Sequence, residues 1–117
     1  MIFSETAYTG TIEFLAADEF VAIPAHITES TAVKAGSLID EDGKIAEANA
    51  SSGLYEDIAG ILLYDVDPAV NPNCALLVQG VVDLTKMNTH ASTEYTAGDI
   101  TAVLPGIVCR TNIGVNT

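Results

Sequence analysis

The stretch GILLYDVDPAVNPNCALLVQGVVD, residues 60–83, decides the fold. Two dense apolar runs flank a polar centre that carries Asp65, Asp67, Asn71 and Asn73. That centre reads either as a cation loop or as a turn between buried strands. A calcium loop of the EF-hand kind sets oxygen ligands at alternating positions, a glycine at the sixth and a glutamate at the twelfth. Counted from Asp65, the third ligand position is Ala69, the glycine position is Val70 and the twelfth is Leu76. Pro68 and Pro72 instead fix φ and remove amide donors, and Asn71 and Asn73 suit turn positions. The segment therefore reads as a stiff reversal, with Asp65 and Asp67 at the solvated end of a core hairpin, and no metal site is expected there.

Outward from this hairpin the periodicity is that of strands. The runs IAGILLYDV (58–66) and NCALLVQGVVDL (73–84) are dense enough to be buried on both faces, or on one face by the core and on the other by a subunit contact. EFVAIPA (19–25) and VKAGSLI (33–39) are short and β-compatible. In LIDEDGKIAEA (38–48), Asp42-Gly43 sits between two extended segments, a hairpin signal because Gly43 can take positive φ. STEYTAGDITAVLP (92–105) allows a short helical turn before Pro105, and GIVCRTNI (106–113) reads as a last strand. Gly60 and Gly80 inside the apolar runs mark close backbone packing or a bulge. The pattern predicts a mainly β domain of small helical content, a compact sandwich or barrel-like body with hairpins. Residues 33–117 form the β-rich domain, and 1–32 an N-terminal arm or first strands.

Composition narrows the function. A chain of 117 residues and 12.2 kDa makes one domain, able to bury roughly two-thirds of its unfolded surface without metals or disulfides. Apolar residues reach 49%, charged residues only 17%, and the mean hydropathy is +0.34, so some apolar surface is expected to meet a partner. No apolar run approaches the ~18 residues of a membrane span. The start MIFSETAYTGTIEF lacks the basic and apolar regions of a signal peptide, which predicts a cytoplasmic product. Sixteen acids against four bases give a net charge of −12. Phosphate-backbone binding works by Lys and Arg replacing counterions, so nucleic acid is a poor ligand, and the acids read as a solubilising surface.

Chemistry-bearing motifs are sparse. Cys74 and Cys109 sit in apolar contexts without C-x-x-C spacing and read as buried thiols acting as small hydrophobes. His26 and His90 have no paired spacing, so zinc ligation is not expected. The N-A-S tripeptide at Asn49 reads as chance. No G-x-S-x-G, G-x-G-x-x-G or P-loop occurs, and no carboxylate pair is singled out, so the chain reads as no enzyme and needs no cofactor. Asp83 and Lys86 read as a local solvent-exposed pair. LTKMN around Lys86 and TAVKAGSLI around Lys34 partly match the lysine contexts of biotinyl or lipoyl carriers. An acidic all-β binding or carrier domain with a modified lysine is thus the alternative function.

The order VKAGSLIDEDGKIAEA, DIAGILLYDVDPAVNPNCALLVQGVVDLTKM, ITAVLPGIVCRTN resembles the capsid decoration and head-fibre proteins of tailed phages, similar to the lambda-type head decoration family. The blocks that carry the resemblance are Gly36-Ser37-Leu38, Asp42-Gly43-Lys44, Ala59-Gly60-Ile61-Leu62, Asp65-Val66-Asp67, Ala75 to Val82 and Leu104-Pro105-Gly106-Ile107. They span about residues 33–113. Residues 1–32 match no pattern of that family, and MNTHASTEYTAGD (87–99) is more polar than the helical segment expected there.

The resemblance implies a structural protein of the virion, made in the host cytoplasm. It would form a homotrimer on the outer face of the expanded head, bind the major capsid protein and stabilise the shell. The N-terminal stretch adds a docking hypothesis: an extended arm would add a strand to a capsid subunit, with Ile2, Phe3, Tyr8, Ile12 and Phe14 as anchors. The same stretch equally suits a first strand of the domain itself. For the central loop, the turn reading predicts that calcium leaves the melting temperature unchanged in a thermal titration. A rise of many degrees would restore the cation reading.

Overall fold

The computed structural model describes residues 14–16 and 19–110. The protein is mainly β: 35% of the described residues lie in strands or bridges and 14% in helices, so strand pairing and not helix packing organises the core. The strands are β1 (Val21–His26), β2 (Leu38–Asp40), β3 (Ile58–Leu62), β4 (Asn73–Asp83) and β5 (Ile107–Arg110). Two short helices, α1 (Leu84–Ala91) and α2 (Ala97–Thr101), lie between β4 and β5. The strands pair in the order β1-β4-β3-β2, and β5 pairs with β4 as well. All these pairings lie in one five-stranded sheet.

β4 is the shared strand. Its first half pairs antiparallel with β1, from His26 opposite Asn73 to Ala22 opposite Leu77. On the β3 side, Ile61 and Leu62 face Leu77 and Leu76. Its last four residues pair with β5 in parallel, Gly80 with Ile107 through Asp83 with Arg110. Two parallel strands require a crossover, and the stretch containing α1 and α2 supplies it. Between Val21 and Ala22 the β1 register slips, leaving Val78 as an extra residue on β4. Close by, Gly80 adopts a φ of 152°, and a Cβ there would meet the Phe20 Cβ at 3.1 Å. Of the two readings of Gly80, this contact matches close backbone packing, while the bulge itself falls at Val78.

Side chains alternate across a strand, so adjacent apolar residues serve opposite faces. Leu38, Ile61 and Leu77 enter one core, which also holds Phe14, Val82, Met87, Tyr95, Ile100 and Ile107. Their neighbours Ile39, Leu62 and Leu76 enter a second core with Ile27, Val33, Val66 and Cys74. Both faces of the central strands are buried, which is why their sequences read as almost unbroken apolar runs. Gly60 lies on β3, between β2 and β4, where the backbone approaches β4 closely. A Cβ there would sit 2.8 Å from the Leu76 Cβ and 2.9 Å from the Leu77 carbonyl oxygen.

The turns follow their sequences. Asp40 closes the 40–44 turn: its amide donates to the Lys44 carbonyl (2.9 Å) and its carboxylate accepts from the amides of Asp42 and Lys44. Gly43 takes the positive φ that this turn needs, 84°. In the 67–72 reversal, the Asp67 carbonyl accepts from Val70 and Asn71 (2.9 Å each), and the Asp67 carboxylate accepts from Ala69 (3.1 Å).

The segment 33–39 is not one strand, as the sequence suggests. Val33 pairs alone with Val66, the chain turns at Gly36 with φ 92°, and β2 begins only at Leu38. The cause is α1, whose Met87 carbonyl oxygen lies 2.8 Å from where a Gly36 Cβ would stand. Pro24 is tolerated in β1, which among the described residues pairs with β4 alone and so lies at the edge of their sheet.

If Gly60 is required by this approach, Gly60→Ala should destabilise the protein by about 1–3 kcal/mol, the usual cost of overpacking. It should do so even though alanine reduces the entropy of the unfolded chain. In urea titration the midpoint should fall with the slope unchanged; a stabilised variant would refute the packing account.

Candidate functional site

The most distinctive surface lies across β4 between β1 and β5. Glu19, Phe20, Val21, Gln79, Gly80, Val81, Gly106 and Val108 line an open cleft of about 400 Å³. Two of its lining residues, Gly80 and Gly106, contribute no side chain to it. A Cβ on Gly106 would collide with the Gln79 Cγ at 2.6 Å and the Val78 carbonyl at 2.8 Å, so the chain entering β5 lies directly on β4. Beside the cleft, Val21 is 46% exposed, Val108 50% and Ile23 40%. The lining carries one charged residue, Glu19, in a chain of net charge −12. A mixed but only weakly charged patch, with Phe20, Val21, Val81 and Val108 beside Gln79 and Glu19, is suited to contact with another macromolecule.

Of the five anchors expected in the N-terminal arm, Ile2, Phe3, Tyr8 and Ile12 lie outside the described residues. Phe14 is described, and it is turned inward: 3% exposed, it packs in the first core. Its carbonyl accepts the Asp83 amide at 2.7 Å, Leu15 pairs with Val82, and the Ala16 amide donates to Val81 at 2.9 Å. Residues 14–16 thus lie along β4 through one isolated bridge and two backbone hydrogen bonds.

Asp83 corrects a second expectation. It is 3% exposed, and its carboxylate accepts the Lys86 backbone amide at 3.2 Å as the N-cap of α1, so no solvent-exposed pair with the Lys86 ammonium explains it. An Asp directly before Leu-Thr-Lys-Met is a helix-start signal, hidden in the sequence because it ends an apolar strand. Lys86 itself lies in the first turn of this helix and not on a hairpin, the setting that a carrier lysine calls for. Lys34 is exposed in the loop between Val33 and Gly36.

The paired aspartates separate in role. The Asp65 carboxylate accepts the Ala35 amide and pairs with His90 Nε2, each at 2.8 Å, tying the last turn of α1 to the loop before β2. Partial burial pushes the Asp65 pKa up, but the Ala35 amide, the His90 hydrogen bond and charge, and Lys34 outweigh it and hold the carboxyl below its ordinary value. Asp67 serves its own turn. Among the described residues no group of three or more His, Cys, Asp or Glu side chains is arranged to hold a metal ion.

Asn88 and Tyr95 organise the other side of α1. The Asn88 side-chain amide donates to the Tyr95 carbonyl and accepts from the Thr93 hydroxyl and the Tyr95 amide, while the buried Tyr95 hydroxyl accepts the Leu38 amide at 3.1 Å. Burial raises the pKa of Tyr95 and of both free thiols, Cys74 and Cys109. Nucleophilic attack requires a thiolate, so these cysteines are poor nucleophiles at neutral pH. No helix among the described residues is long and apolar enough to cross a membrane. No family model, curated protein or solved structure matches the chain.

Two measurements check the carboxylates. Replacing the cap, Asp83→Ala should cost about 0.5–2 kcal/mol in urea unfolding, with Asp83→Asn closer to the parent because asparagine also caps. The Asp65 charge is a smaller matter, since its side chain is 57% exposed and such pairs contribute ~0.2–1 kcal/mol. Its pKa is depressed on folding, so its contribution is present above the unfolded-state pKa and disappears as pH falls through the folded one. The stability curves of the parent and Asp65→Asn should therefore differ at neutral pH and converge in acid; curves that stay parallel would refute this.

Proposed function

We propose that the chain is a structural protein of a tailed-phage head, a decoration or head-fibre protein that binds the outer face of the expanded capsid as a homotrimer and reinforces the shell. The observation that carries the reading is the weakly charged cleft across β4, where the exposed Val21 and Val108 lie beside Phe20 and Val81, with Ile23 exposed nearby. A protein that works by holding neighbours together needs such a face, because interface cores are depleted of charge. The acidic remainder keeps it soluble and gives it no attraction for packaged DNA.

The sequence blocks behind the resemblance support the same reading by falling on structural elements. Gly36-Ser37-Leu38 turns into β2, Asp42-Gly43-Lys44 forms the tight turn, Ala59 to Leu62 lies in β3 and Ala75 to Val82 in β4. Leu104 to Ile107 joins α2 to β5. In this reading residues 1–13 serve as the capsid-docking arm, joined to the body at the buried Phe14. A sandwich or barrel-like closure of the domain belongs to the same proposal.

The test is cosedimentation with expanded, DNA-free heads. The full chain should bind them and run as a trimer, free or on the capsid. A chain lacking residues 1–13, which spares Phe14, should fold with an unchanged circular dichroism spectrum and fail to bind. Undiminished binding by the shortened chain would overturn the arm, and no binding by the full chain would overturn the decoration role.

A further inference from the structure

We draw no further inference here: the strongest candidate, the shallow cleft across β4 where Val21, Gly80 and Val108 meet, belongs to the face already described, and nothing in the structure shows what covers it.

Discussion

Two adjacent leucines on one strand, Leu76 and Leu77, face opposite ways, and each closes a different core. The rest of the structure depends on that alternation. β2 and β3 repeat it in register, Leu38 with Ile61 toward one side and Ile39 with Leu62 toward the other. A one-residue slip of any of these strands would exchange the two sets of side chains, so the register is fixed from both faces at once. Apolar burial on this pattern contributes roughly 1.5–3 kcal/mol per large side chain, against a net stability of about 5–15 kcal/mol for a domain of ordinary size. A small number of such residues therefore decides whether the chain folds.

The same doubling explains what could be read from the sequence. The two apolar runs around DVDPAVNPN had to be strands with both faces covered, and Pro68 and Pro72 had to make the link between them a turn. Asp42-Gly43 was equally legible, because the positive φ of Gly43 is a local requirement with a local cause. The short helical turn expected before Pro105 is α2, and the structure adds the reciprocal capping box of Thr96 and Asp99 that starts it.

What could not be read lies in long-range contacts. Val33 to Ile39 looks like one strand until α1 lies down on Gly36, and nothing within those seven residues announces the helix. Eight-residue α1 is too short to be stable from propensity alone and is held by burial of Leu84 and Met87 and by its Asp83 cap. Parallel pairing of β5 is likewise a consequence of the crossover and not of its own residues. Of the candidate site, the excess apolar composition was visible, but its location required two glycines, Gly80 and Gly106, to bring separate segments against β4. Phe14 shows the opposite limit: an aromatic in an unpatterned stretch looks the same whether it anchors a partner or fills its own core.

The last residue of β4 has a mechanical consequence. Asp83 receives the chain on both edges, Phe14 through a backbone hydrogen bond and Arg110 through parallel register. Residues 16 to 14 and 107 to 110 both advance toward this end of β4, while the Pro-stiffened 67–72 reversal stands before its other end. The two ends of β4 are thus held differently, the Asp83 end by the 14–16 segment and β5, the Asn73 end by β1 and the reversal. A load applied at Phe14 and Arg110 together enters at one end, pulls both flanking segments the same way and reaches the hydrophobic centre through β4.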